Sequence, residues 1–197
     1  MRLTEIRIAG FGGQGVILSA VVLGKAASIN ENGFATMTQN FGPEARGGAC
    51  SAQLVISDSP VLYPYVTEPD IMVIMSQEAY NRFAHELKPG GVLIIEEDLV
   101  RVSNINRDKQ VYAVPATRFA EELGKRMVLN SVMVGFFTAV TKLLSADAVR
   151  KAVADSVPPA FRDLNLKAFE KGFEYGSTAA AVAPTSPELE ALAVSEE

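Results

Sequence analysis

The chain has 197 residues, a formal net charge of -5, 48% hydrophobic residues and 21% charged residues, which is typical of one globular domain and excludes a wholly disordered chain. A single cysteine and a single histidine exclude an internal disulfide framework and a cysteine- or histidine-rich metal or iron–sulfur site. Without a Lys/Arg-rich block, an apolar run of ~20 residues or a signal peptide, we expect a cytoplasmic protein with no nucleic-acid or membrane partner.

The first part of the chain predicts strands around one helix. The segment LTEIRIAG (3–10) is typical of a strand, and QGVILSAVVLGKAASIN (14–30) has helical periodicity that ends before Gly33. The segments FATMTQN (34–40) and CSAQLVIS (50–57) predict two further strands. If the first two strands pair in parallel, they form a right-handed βαβ unit.

The rest of the chain continues this alternation. Nearly continuous apolar runs predict buried strands of a parallel sheet, and the intervening periodic segments predict helices with Ser76 and Thr117 as amino-terminal caps. The strands are predicted at 69–75, 92–98 and 110–116, and the helices at 76–91, 117–124, 130–144, 145–157 and 161–176. We therefore predict an α/β fold: an open Rossmann-like, mostly parallel sheet with helices on both faces. Residues 1–176 form this single domain, and the Ala/Pro/Glu-rich residues 177–197 form a flexible tail.

The segment GFGGQG between the first strand and helix matches G-x-G-x-x-G at Gly10, Gly12 and Gly15, with an additional Gly13. In this context the glycines permit a tight turn, a close approach of phosphate to backbone N–H groups, and close packing of helix on strand. The alternative is a tight turn without a ligand. Four glycines exceed what a turn needs, which favours phosphate or pyrophosphate binding.

A nicotinamide dinucleotide fits this loop less well. Such a site needs an Asp or Glu at the end of the second strand to hold the ribose hydroxyls. That strand ends in Gln39 and Asn40, and Glu44 lies behind Pro43 in the next loop. The sequence therefore favours a phosphorylated ligand other than NAD.

A second glycine-rich loop follows, with the sequence QNFGPEARGGACSA. It leaves the carboxyl end of the second strand, where ligands bind in open α/β sheets. Arg46 offers a bidentate fork to a phosphate. A salt bridge between Glu44 and Arg46, or a contact with a partner chain, is the alternative.

The pair GFGGQGV and FGPEARGG, at this separation, resembles the gamma subunit of 2-oxoacid:ferredoxin oxidoreductases. The segments PDIMVIMSQEAYNRF, GGVLIIEED and NSVMVGFFTAV are similar to later parts of that family. The resemblance covers roughly residues 3 to 175, and residues after Gly176 have no counterpart in it.

The resemblance implies a function within a complex. These enzymes decarboxylate a 2-oxo acid on thiamine diphosphate, reduce ferredoxin through iron–sulfur clusters and transfer the acyl group to coenzyme A. The gamma subunit carries no thiamine and no cluster; it packs on the thiamine-bearing alpha and beta subunits and is associated with coenzyme A. Thiamine diphosphate, Mg²⁺ and the clusters are expected in the partners, which include a ferredoxin-like delta subunit in some forms. Such a chain is expected to be inactive alone.

Under this resemblance no residue of the chain is catalytic and none binds a metal. The expected coenzyme A contacts are Gly10, Gly12, Gly13, Gln14 and Gly15 as a phosphate cradle, Arg46, Gly47 and Gly48 as the opposing lip, and Asn40 and Ser76 at the strand ends. For Asn130, a helix cap is favoured over a ligand role. Two alternatives stay open: a purely structural assembly subunit, and an NAD-binding dehydrogenase.

Four other features receive plainer interpretations. The acidic run Glu96–Asp98 is interpreted as a solvated loop rather than an acid–base pair. His85 is interpreted as an ordinary helix-surface residue, and Cys50 as a small buried apolar residue. For Tyr63 and Tyr65, a partner contact and a plain turn are equally favoured.

Overall fold

A computed structural model describes residues 3–41, 49–103 and 108–179. They form one six-stranded sheet in the order β2-β3-β1-β4-β5-β6. The strands are β1 (Leu3–Phe11), β2 (Phe34–Phe41), β3 (Ala49–Ser57), β4 (Ile71–Ile74), β5 (Val92–Glu96) and β6 (Gln110–Val114).

Strands β1, β4, β5 and β6 pair in parallel. Strand β3 runs antiparallel to both β1 and β2, so β2 points the same way as β1. Five strands therefore end at one edge of the sheet, which we call the carboxyl edge, and only β3 begins there.

The position of β3 corrects one expectation. Strands β1 and β2 do not pair as neighbours in a βαβ unit, because β3 lies between them and pairs with both. Only seven residues separate the end of β2 from the start of β3, and so short a connection joins neighbouring antiparallel strands far more readily than parallel ones. The predicted Rossmann-like, mostly parallel sheet is otherwise confirmed.

Helices cover both faces of the sheet, as predicted, but unequally. The helices are α1 (Val16–Lys25), α2 (Gln77–Phe83), α3 (Ala116–Glu122), α4 (Leu129–Thr141), α5 (Ala146–Ser156) and α6 (Arg162–Ala179). All but α2 share one apolar core with residues of every strand. Of these six helices, α2 is the one that packs on the opposite face, over β1, β4 and β5.

The apolar sequences of strands β4 and β5 are explained by their burial. Every residue of β4 is buried, and four of the five residues of β5 are buried, because helices lie on both of their faces. Helix α4 is similarly buried over most of its surface, since α1, α3, α5 and α6 all pack against it. The buried strands β4 and β5 thus end at the carboxyl edge with helices packed on both sides.

Several helix ends differ from the predictions. Ser76 caps α2 as expected, by accepting a hydrogen bond from the N–H of Ala79. Thr117 is not the cap of α3, which follows Pro115, and Asn130 is not the cap of α4, which follows Val128. In both helices the first turn begins one or more residues earlier than the polar side chain.

The predicted domain end at Gly176 lies inside α6, which continues to Ala179. Most of the predicted tail, residues 180–197, lies outside the described residues, so the tail stays a prediction. Over the described ranges no helix combines the length and the apolar character that a membrane crossing requires.

Candidate functional site

The glycine loop, Gly10–Gly15, lies at the carboxyl edge of the sheet. It follows β1, whose last residues Gly10 and Phe11 pair with Cys50 and Ala49 at the start of β3. Phe41, at the end of β2, also pairs with Cys50. The register thus brings the ends of β1 and β2 to the same place, on either side of β3.

Two of the four glycines are explained by internal packing. A Cβ added to Gly10 would lie 2.5 Å from Oε1 of Gln14 and 3.0 Å from Cβ of Met75. A Cβ added to Gly15 would lie 2.6 Å from Cβ of Asn130 in α4. Gly10 and Gly15 are therefore required for close approach within the chain, whether or not a ligand binds.

Gln14 holds the loop in place. Its Oε1 accepts a hydrogen bond of 2.7 Å from the N–H of Phe11, and its Nε2 donates one of 2.8 Å to the carbonyl oxygen of Met75. Gln14 N–H also donates to the Phe11 carbonyl at 3.1 Å. The side chain of Gln14 is thus engaged within the chain, and it ties the glycine loop to the residue that follows β4.

Gly12 and Gly13 are exposed, and no packing contact within the described residues explains Gly13. Gly13 has φ of 99°, and an added Cβ would meet no heavy atom within 4 Å. Beyond the loop, α1 begins with no side-chain cap and no acidic residue in its first turn. We call the exposed residues Gly12 and Gly13 the crest of the loop. The first N–H groups of α1 and the positive end of its dipole therefore face this crest.

The other predicted contacts lie near this crest to different extents. Asn40 is exposed at the end of β2 and lines a cavity of about 100 Å³ with Ser51 and Arg82. Ser76 is 1% exposed, and its hydroxyl caps α2. Glu44, Arg46, Gly47 and Gly48 lie outside the described residues, so the opposing lip stays a prediction.

Asn130 lies directly beneath the loop. It is 3% exposed in the first turn of α4, and its carboxamide faces Gly15. Helices α1 and α4 therefore both begin at the carboxyl edge. The sequence pointed to Asn130 as a cap, whereas the structure uses it as the surface on which Gly15 packs.

The acidic run after β5 is not the solvated loop that we predicted. Glu96 is 0% exposed, and its two carboxylate oxygens accept hydrogen bonds from the N–H groups of Leu99 at 2.7 Å and Thr117 at 2.8 Å. It therefore caps the start of α3 and closes the turn after β5. Glu97 and Asp98 form ion pairs with Arg118, so the run has a structural use.

Three smaller predictions can be compared with the structure. Cys50 is buried, and burial raises the pKa of its thiol, which therefore stays protonated at neutral pH. His85 is exposed in a short 3-10 turn after α2. Tyr63 and Tyr65 are exposed and contact each other edge to face, with ring centroids 5.6 Å apart.

A larger cavity, of about 690 Å³, lies at the opposite edge of the sheet, far from the glycine loop. Several of its polar groups are engaged internally. Glu31 accepts a hydrogen bond from the N–H of Ser145, and the hydroxyl of Thr138 donates to the Val134 carbonyl. We assign the candidate site to the carboxyl edge, where backbone N–H donors are exposed and where Arg82 forms no ion pair with any carboxylate of the described residues.

Two arginines on the α2 face are not predicted by any pattern in the sequence. Arg7 is buried in β1, and its Nη2 lies 2.6 Å from Oε2 of Glu86. Arg82 in α2 lines the small cavity beside Asn40. Both lie near the ring of Phe83, which brings them together although they are 75 positions apart in the sequence. Nothing in the local pattern around either residue predicts this.

No group of three or more histidine, cysteine or acidic side chains is placed to hold a metal ion within residues 3–41, 49–103 and 108–179. Around the glycine loop and the end of β2, the exposed groups include backbone N–H donors, the amide of Asn40 and the guanidinium of Arg82. This set suits an anion, in particular a phosphate.

Comparison with known proteins defines the class. The family described as POR, pyruvate ferredoxin/flavodoxin oxidoreductase, matches residues 5–175. The chain therefore belongs to this family, and within it to the gamma subunits of 2-oxoacid:ferredoxin oxidoreductases, which confirms the resemblance found in the sequence. It is a subunit of a multi-subunit oxidoreductase.

Individual relatives agree with this assignment. The 2-oxoglutarate synthase subunit KorC of Methanocaldococcus jannaschii is 46% identical over 172 residues, which cover 86% of this chain and 92% of the relative. The gamma subunit of a keto/oxoacid ferredoxin oxidoreductase from Geobacter sulfurreducens is 39% identical with a TM-score of 0.78, covering 90% of this chain and 99% of that one.

A third protein shares the fold at lower identity. It is a 2-oxoglutarate:ferredoxin oxidoreductase from Magnetococcus marinus, solved with 2-oxoglutarate, coenzyme A and succinyl-CoA bound. The match is 22% identical with a TM-score of 0.78, and it covers 95% of this chain and 34% of that one. At this identity the likeness supports the fold alone.

Proposed function

We propose that this subunit binds the diphosphate of coenzyme A at the crest of its glycine loop and presents the thiol end to the thiamine-bearing partners. The supporting observation is that the glycines of the loop differ in packing and exposure. Gly10 and Gly15 are needed for packing, whereas Gly12 and Gly13 are exposed and lead into the uncapped start of α1. The positive φ of Gly13 suits glycine in any such turn, but no atom lies within 4 Å of the Cβ position there, so the exposed backbone of the loop is open to a ligand.

Binding by this crest is electrostatic. A diphosphate placed there accepts hydrogen bonds from backbone N–H groups and lies at the positive end of the α1 dipole. No acidic side chain occupies the first turn of α1. The glycines keep side chains from standing between the phosphate oxygens and these donors.

The strand order disfavours NAD. The ribose anchor of a dinucleotide fold belongs at the end of the strand beside β1. Here that neighbour is β3, which runs the opposite way, and β2 is one strand further out and ends in Gln39, Asn40 and Phe41. Coenzyme A has no nicotinamide ribose and needs no such anchor.

The partners follow from the class of enzyme. We propose thiamine-bearing alpha and beta subunits, with thiamine diphosphate, Mg²⁺ and iron–sulfur clusters held there, and ferredoxin as the electron acceptor. Leu62, Tyr63 and Tyr65 offer an exposed apolar surface for assembly, since Leu62 is 95% exposed. The name of the Methanocaldococcus relative favours 2-oxoglutarate as the oxo acid of the complex.

The substitution Gly13→Leu tests the cradle. We expect the affinity of the complex for coenzyme A to fall at least about tenfold, because a side chain at the crest displaces charged hydrogen bonds to phosphate. Titration of the wild-type and variant complexes with coenzyme A measures this loss, and size-exclusion chromatography checks that both assemble.

Gly90→Leu is the matched control. Gly90 has φ of 71° and open space around its Cα, so leucine causes comparable backbone strain there. It lies in the turn before β5, at the opposite edge of the sheet. Equal coenzyme A affinities for the Gly13→Leu and Gly90→Leu complexes would contradict the cradle.

The substitution Leu62→Ser tests the assembly surface. It should weaken assembly of the complex and leave the coenzyme A affinity of the separate chain unchanged.

A further inference from the structure

Beside the glycine loop, the end of β2, the start of β3 and the last residues of α2 enclose a small cavity of about 100 Å³. It is lined by Asn40, Phe41, Ala49, Cys50, Ser51, Arg82 and Phe83. This volume is well below the roughly 300 Å³ at which pockets for whole small molecules begin. It suits a single group the size of a phosphate.

The cavity carries an unpaired positive charge. Arg82 lies 5.1 Å from the centroid of the Phe83 ring, and among the described residues no carboxylate forms an ion pair with it. The second guanidinium at this ring, that of Arg7, lies 4.8 Å from the centroid and is paired with Glu86. Glu86 thus neutralises Arg7 and not Arg82, which leaves Arg82 available to an anion.

The remaining lining groups complete an anion site. Asn40 supplies an amide donor, and Ser51 supplies a hydroxyl from the neighbouring strand, with which Asn40 pairs in register. Cys50 adds a buried thiol, which burial keeps protonated and uncharged. Among the described lining residues, none carries a negative charge that would repel a phosphate.

The cavity is close to the proposed diphosphate position. Gly10 pairs with Cys50, and Phe41 pairs with Cys50 from the other side. Neighbouring strands lie about 4.8 Å apart, so the cavity is one to two strand spacings from the glycine loop. In coenzyme A a single ribose separates the diphosphate from the 3′-phosphate, which matches this short separation.

We propose that Arg82, with Asn40 and Ser51, binds the 3′-phosphate of coenzyme A. This inference depends on the proposed function, because the glycine loop must hold the diphosphate for the 3′-phosphate to reach the cavity. It assigns to this chain the discrimination between coenzyme A and its 3′-dephospho form. The fork of Arg82 donates to phosphate oxygens in the way that guanidinium groups generally bind phosphates.

Titration of the full-length chain, alone and assembled, with coenzyme A and with 3′-dephospho-coenzyme A tests this assignment. The wild type should bind coenzyme A about tenfold more tightly or better, the size of one hydrogen bond to a charged group. Arg82→Gln should remove this preference by weakening only coenzyme A binding. Asn40→Asp should act in the same direction, because it adds a negative charge to the cavity.

Arg162→Gln is the control for net charge, since Arg162 binds the Ala154 carbonyl on the opposite face of the sheet. It should leave both affinities unchanged. Equal binding of the two ligands by the wild type would overturn this assignment and leave the diphosphate cradle intact. Equal weakening of both ligands by Arg82→Gln would also overturn it. Binding of neither ligand, even by the complex, would overturn the proposed function as well.

Discussion

Gly135→Ala is expected to lower the free energy of unfolding by about 3 kcal/mol, the upper part of the usual range for overpacked cores. Gly135 in α4 faces α6, and an added Cβ would overlap the carbonyl oxygen of Phe169. The reciprocal contact is equally close, since a Cβ on Gly172 would overlap the carbonyl oxygen of Val132. Backbone atoms cannot rotate away, so the two helices must separate.

Urea denaturation of the wild type and the variant measures this loss. Gly24→Ala is the control, because Gly24 lies in α1 and the nearest heavy atom to an added Cβ is 3.4 Å away, in Leu54. There alanine should stabilise the protein by up to about 1 kcal/mol through its higher helix propensity. A Gly135→Ala protein as stable as the wild type would show that α4 and α6 are not in backbone contact.

Glu96→Ala is expected to lower the free energy of unfolding by about 3 kcal/mol. The carboxylate of Glu96 is fully buried and accepts hydrogen bonds from two backbone N–H groups, those of Leu99 and Thr117. Its removal leaves both donors without that acceptor, and bonds to charged groups contribute about 1.5–3 kcal/mol each. Thermal unfolding or urea denaturation reports the change.

Glu97→Ala is the neighbouring control. Glu97 is exposed and pairs with Arg118 across the surface, and such pairs contribute about 0–1 kcal/mol. If the two substitutions destabilise the protein equally, the buried cap is not the reason for the glutamate at position 96. Both variants should retain coenzyme A binding, since neither side chain lies at the crest of the glycine loop.

Sequence reasoning reached the fold class because the decisive signals are local. The apolar runs of β4 and β5 and the glycines after β1 each lie within a few consecutive residues. The position of β3 between β1 and β2 is different. No periodicity encodes which strand pairs with which, and the pairing of Gly10 with Cys50 joins residues 40 positions apart. Strand order therefore had to come from the structure.

The candidate site likewise combines local features, which the sequence predicts, with contacts between distant residues, which it does not. The glycines predict a phosphate site at this loop, which stays a prediction, and the sequence does not separate Gly10 and Gly15, which pack internally, from Gly13, which has open space around it. The buried cap at Glu96 was missed because its partner, the N–H of Thr117, is 21 positions away. Arg82 was missed because only the folded sheet brings it beside Asn40.

Calorimetric titration tests most directly which ligand the glycine loop binds. The purified chain is titrated with coenzyme A and with NAD, first alone and then assembled with its thiamine-bearing partners. We predict that coenzyme A binds and NAD does not, because the crest provides phosphate donors and β2 provides no acidic ribose anchor. Binding of NAD in preference to coenzyme A, or of neither ligand even in the complex, would contradict the account.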